Sequence, residues 1–132
     1  MDPAACPFCS PSEKAVVLSA DLCYAIYDRF PVSDGHMLVI PYRHAPSWFD
    51  LEEPEQHAMI RLLDRCRAFI EERHHPDGYN FGVNIGSAAG QTVPHVHMHI
   101  IPRYRGDVRY ARGGIRSVIP DKRPYPPDMP EE

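Results

Sequence analysis

The chain has 132 residues and a mass of 15.0 kDa, which is room for one domain and excludes a separate cofactor-binding lobe. Apolar residues make up 43% and charged residues 24%, and the formal charge of −4 argues against a nucleic-acid binder that works by bulk charge. No apolar run approaches the ~20 residues of a membrane span, and the opening MDPAACPFCS has no basic segment leading into an apolar one, so a cytoplasmic protein is expected.

Pro3, Pro7 and Pro11 keep the first ten residues irregular. Ala15–Leu18, Cys23–Tyr27 and His36–Ile40 read as strands, with Pro31–Gly35 as a turn and Pro41 ending the third strand. Asp50 and Glu53 have capping-box spacing, with Asp50 as N-cap and Pro54 in the first turn, and predict a helix over about 51–75. Met59, Leu62, Leu63, Cys66, Phe69 and Ile70 recur at three- and four-residue steps and form its buried stripe, with Arg61, Asp64, Arg65 and Glu72 outside. The helix stops before Pro76-Asp-Gly78. Tyr79–Ile85 is a fourth strand, Gly86–Gly90 a small-residue loop, and Val93–Ile101 contains a fifth strand.

This order is α+β: an antiparallel sheet of about five strands with one long helix on one face. Residues 1–103 form the domain, and 104–132 an extension that packs on it or is partly disordered. The Pro-rich stretch 120–132 is expected to be extended or disordered rather than helical. A sheet and helix this small leave a face for a second copy, so a homodimer is expected. Seven of the fourteen basic residues fall between Arg103 and Arg123, against Asp107 and Asp121 alone. The first reading of this arm is a solvated connector; the sharper one is a contact for a polyanionic substrate or partner.

His95, His97 and His99 alternate in a strand, so they share one face at roughly 6.5–7 Å intervals, while Val96, Met98 and Ile100 point toward the helix. Imidazole serves both as metal ligand and as nucleophile, and the spacing leaves both open. Cys6-Pro-Phe-Cys9 has the gap that brings two thiolates to one metal ion. A redox CxxC opens a helix after a strand, whereas this pair lies in a Pro-rich coil. A metal site needs two more ligands, for which His44 and His95 are candidates; Cys23 and Cys66 read as small core residues.

The segment GQTVPHVHMHIIPR (90–103), together with DGHMLVIPYRH (34–44), resembles the histidine-triad (HIT) family of nucleotide hydrolases and transferases. The likeness covers about residues 6–103, and Arg112-Gly-Gly-Ile-Arg116 looks like an extension of some bacterial members. It implies a homodimeric α+β domain in which His97 attacks the α-phosphorus of a nucleotide and forms a nucleotidyl-histidine intermediate. His99 and backbone N–H groups of the 90–93 turn then stabilise the phosphoryl oxygens. Asp28 matches a ribose-binding acid, with Ile26 and Tyr27 bordering the base. His36 matches a histidine behind the triad, and Asn84, Gln91 and Thr92 match polar phosphate contacts. Zinc-containing branches use a CxxC, a later His and the first triad His, here Cys6, Cys9, His44 and His95. One structural zinc per chain is therefore implied.

The resemblance implies a small nucleotide conjugate as substrate, cleaved to release a nucleoside monophosphate; the composition gives no membrane partner and weighs against nucleic acid. Other readings are a zinc hydrolase in which all three histidines hold the metal, a nucleotide-binding module with little turnover, and an enzyme of adenylated nucleic-acid ends served by the basic arm. The leaving group stays open among polyphosphates, phosphoramidates, adenylated small molecules and nucleotidylated sugars.

Overall fold

The computed structural model describes residues 3–124 and 126–127. Five strands, β1 (Val16–Ser19), β2 (Cys23–Tyr27), β3 (Met37–Pro41), β4 (Gly78–Val83) and β5 (Met98–Arg103), form one antiparallel sheet in the order β1-β2-β3-β5-β4. The single long helix α1 (Glu53–His74) packs on one face of it. Strand alternation sorts the side chains. Cys23, Ala25, Met37, Val39, Met98 and Ile100 join Met59, Leu62, Cys66 and Ile70 of α1 in one buried cluster. A second, smaller cluster of Tyr24, Leu38 and Ile40 lies on the opposite face, where Phe8, Val16 and Ile26 pack against it.

The helix starts differently from the expectation. Asp50 does not cap α1; its carboxylate accepts from the Ser47 N–H and closes a short 3₁₀ turn, Trp48–Asp50. The cap of α1 is Glu52, whose backbone N–H donates to Glu55 Oε1 at 2.9 Å. Two acidic capping pairs overlap here, and the one nearer the apolar stripe wins. Glu55 is buried because Arg43 grips it with three hydrogen bonds of 2.7–3.2 Å. That ion pair ties the end of β3 to the first turn of α1. At the other end His75 takes the left-handed conformation that stops the helix.

β5 is shorter at its start than the sequence suggests. Pro41 ends the partner strand β3, so residues 95–97 leave the ladder and run past the 41–45 segment, where the Val96 N–H donates to the Ala45 carbonyl at 2.7 Å. After Arg103 the chain is not uniformly extended, as expected for 120–132, but folds into 3₁₀ turns at Gly114–Val118 and Pro120–Lys122. Residues 125 and 128–132 lie outside the described residues. Among the described residues no helix is long and apolar enough to cross a membrane.

Candidate active site

The face of the sheet away from α1 carries the histidines. His97 is buried, and its Nδ1 lies 2.9 Å from the His95 carbonyl, an acceptor only. Nδ1 therefore carries the proton and Nε2 the lone pair. The ring sits 5.1 Å from Phe8 and 5.2 Å from His99, centroid to centroid.

His99 is oriented from behind. The Val32 N–H donates to His36 Nδ1 at 3.2 Å, so a neutral His36 carries its proton on Nε2. That proton faces His99 Nδ1 at 2.9 Å and Asp28 Oδ2 at 3.3 Å. His99 Nδ1 then accepts, and its Nε2–H is left as a donor on the open side. Burial, helped by His97 and His36 and partly opposed by Asp28, pushes His99 down to about 4. Burial also lowers His36, against the pull of Asp28. Both rings are neutral at pH 7, which this chain of hydrogen bonds requires.

Cys6, Cys9, His44 and His95 bring one donor atom each to within 4.8 Å of one another. The Cys6 and Cys9 sulfurs lie 3.3 and 3.6 Å from His95 Nδ1, and Cys9 Sγ lies 3.2 Å from His44 Nδ1. His95 Nε2 donates to the Pro41 carbonyl at 2.8 Å, which turns the Nδ1 lone pair inward. The Phe8 N–H points at Cys6 Sγ, 3.4 Å away, an arrangement suited to a thiolate. Two thiols and two imidazoles, converging and with one tautomer already set, are a donor set that fits a metal ion such as zinc. The three triad histidines, by contrast, do not converge among the described residues: His95 belongs to this cluster, His99 to a group with Asp28 and His36, and His97 to neither.

The remaining expected site residues divide. Asp28 stands beside His36 and His99, and its Oδ1 accepts from the Phe30 N–H. Asn84 and Thr92 are exposed in the segments that flank the triad. Gln91 is fully engaged in holding its own loop: Oε1 accepts from the Gly86 N–H, and Nε2 donates to the Pro46 and Val93 carbonyls. The Gly90 and Gln91 N–H groups likewise donate inside the turn, to Ser87 and Gly86, and are not the donors expected for a phosphate. Tyr27 corrects the expectation outright. Its parity puts it on the α1 face, where it packs on Phe69 and its hydroxyl lies 3.3 Å from His74 Nε2, so it cannot border a nucleotide at His97. Alternation from Tyr24 and Ile26 to Asp28 already carried that signal. Phe8, hidden between the two cysteines, was missed and lines the open face beside His97.

Residues 10–106 match the HIT domain family. The chain belongs to this family. Among HIT relatives it is 34% identical over 117 residues to AP-4-A phosphorylase of Mycobacterium tuberculosis, covering 86% of this chain and 60% of that protein. It is 37% identical over 95 residues to bis(5'-adenosyl)-triphosphatase of Dictyostelium discoideum, covering 72% of this chain and 64% of that one. The chain thus spans somewhat under two thirds of these relatives. Its HIT fold is shared with a Zn-bound histidine triad family protein from Mycobacterium smegmatis, at a TM-score of 0.71 and 32% identity over 80% of this chain and 79% of that one.

Proposed function

We propose that the protein cleaves a dinucleoside polyphosphate at an α-phosphorus and releases AMP, by way of a nucleotidyl-histidine intermediate on His97. The single observation that carries this reading is the His97 tautomer: a buried imidazole with Nδ1 locked on a carbonyl and Nε2 free to attack. Nε2 forms a bond to the α-phosphorus, and the bridging oxygen departs with the distal phosphates. A water oxygen then attacks the same phosphorus, the P–N bond breaks, and the water proton is released. His99, held by His36 and Asp28, presents its Nε2–H to the phosphoryl oxygens through both steps. Asp28 also stands where ribose hydroxyls can donate to it, and Phe8, Ile26 and Leu38 offer an apolar bed for the base. In this reading Asn84 and Thr92, exposed in the segments that flank the triad, add polar contacts beside the phosphates, and Gln91 acts by shaping its loop.

The names of two relatives, one a phosphorylase of AP-4-A and one a triphosphatase of a bis(5'-adenosyl) compound, support the substrate class. The phosphorylase relative also favours a second reading, in which inorganic phosphate rather than water takes the nucleotidyl group and ADP appears instead of AMP. In both readings one zinc per chain is held by Cys6, Cys9, His44 and His95. A closed Cys₂His₂ set supplies structure: it ties the N-terminal coil to the segment that carries His95 and His97. A homodimer completes the reading, with β4 at the sheet edge and Phe81 and Ile60 exposed beside it.

The test is nucleotide release from diadenosine tri- and tetraphosphate, with and without inorganic phosphate, by wild type and His97→Ala. AMP from the wild type, and a fall of at least about a thousandfold in the variant, are expected. ADP that depends on phosphate selects the phosphorylase reading. Equal turnover by the two proteins rejects His97 as nucleophile. Binding without turnover by the wild type moves the protein to the nucleotide-binding modules.

A further inference from the structure

The histidine face does not end at His99. The same strand parity next presents Ile101 and Arg103, and Asn80 of β4 stands opposite Ile101. Segment 107–123 folds back over these side chains and encloses a cleft of about 740 Å³. Val32 and Ser33, from the loop that joins Asp28 to His36, complete its wall. The arm is seated closely: a Cβ on Gly114 would lie 3.3 Å from Asn80 Nδ2, and Gly114 has a φ of +48°.

The lining is cationic and partly unsatisfied. Arg103, Arg109 and Arg123 face the cleft against one carboxylate, Asp107, which Arg103 already holds with two hydrogen bonds of 2.8 and 2.9 Å. Arg103 is also braced by Asn80 Oδ1 at 2.7 Å. Arg109 makes no hydrogen bond or ion pair among the described residues. The Tyr110 hydroxyl is buried in the same wall without a hydrogen-bond partner among the described residues, a donor that an acceptor on a ligand would satisfy. Arg103 lies about 13 Å along the strand from His99 by strand rise, beyond the reacting phosphorus and within reach of what is attached to it.

We infer that this cleft binds the leaving half of the substrate, the distal phosphates and their nucleoside, with Arg109 and Arg123 contacting phosphate and the Tyr110 hydroxyl donating to an anionic oxygen. The inference rests on the α-phosphorus chemistry proposed above and names its leaving-group class. Planar guanidinium donors match phosphate oxygens, so the cleft selects a polyphosphate leaving group over a small uncharged one.

The decisive quantity is the ratio of kcat/KM for diadenosine tetraphosphate to that for adenosine phosphoramidate. In Arg109→Gln, an exposed position apart from the metal cluster and the histidine relay, this ratio falls by about tenfold or more, mainly through KM. In Tyr110→Phe it falls severalfold while Tm stays equal or rises, since an unpaired buried hydroxyl has been removed. An unchanged ratio in both variants overturns the inference. Titration calorimetry with inorganic tripolyphosphate separates this claim from the catalytic one. The wild type binds it, more weakly as salt rises, and Arg109→Gln weakens it about tenfold. Should the wild type cleave neither compound, the catalytic reading falls, and equal tripolyphosphate affinity in the two proteins then overturns the cleft as well.

Discussion

The two faces of the sheet use the same strands at opposite parity and carry opposite chemistry. Toward α1, Val96, Met98 and Ile100 sit in a dry cluster with Met59, Leu62 and Ile70, and its buried thiols are pushed up by burial to about 11 at Cys23 and about 12 at Cys66. Away from α1, His95, His97 and His99 of that same segment face the Cys6–Cys9–His44 donors, Phe8 and the His36–Asp28 pair. One residue step therefore separates a position that packs the core from one that carries chemistry. Substitutions on the two faces should part along that line: stability alone on one, metal or turnover as well on the other.

The strongest expected departure is at Cys9, where the chemical face also carries structure. Cys9→Ser removes one of four converging donors. Zinc analysis of protein purified without chelator should fall from one per chain to well below half, and Tm should drop on the order of 10 °C. Full zinc retention by the variant would reject the assignment of these four ligands. Next is Met59→Ala, a fully buried position on the helix face. Urea unfolding should show a loss of about 2–4 kcal/mol, with KM unaltered in the folded protein; a KM change would erase the separation of the faces. The smallest effect comes from pH. His99 ionises near 4 in the folded chain against an ordinary 6.5, so between those values the unfolded chain binds a proton that the folded chain refuses. Stability is complete above pH 6.5 and falls as pH drops toward 4, by on the order of 1–2 kcal/mol after allowance for partial exposure, and His99→Gln should flatten that slope.

Much of this was legible in the chain because it follows from period alone. The i, i+3, i+4 stripe from Met59 to Ile70 and the alternation through His95–Ile100 need no tertiary information. The convergence of Cys6 and Cys9 with His44 and His95 was accessible because metal chemistry restricts the partners. The rest depends on geometry that sequence spacing does not encode. Gln91 looks like a phosphate ligand but braces the Gly86 loop against Pro46, a residue 45 positions away. Phe8 becomes part of the site only because the flanking cysteines fold the N-terminal coil onto His97. The choice between two overlapping acidic caps turned on Arg43, whose grip on Glu55 holds the later one. The basic stretch after Arg103 read first as a solvated connector, and it took the packing of Gly114 on Asn80 to turn it into a wall.

The Arg43–Glu55 pair has a consequence for cooperativity. Arg43 is covalently next to His44, one of the four residues proposed to hold zinc, and Glu55 lies in the opening turn of α1. Fraying of that turn would release Arg43 and loosen the segment that presents His44, and a metal ion held by His44 would, through Arg43, steady the helix start. Metal binding and the closing of the first α1 turn are therefore linked: by whatever free energy a bound metal protects those amides against exchange, a closed turn strengthens metal binding.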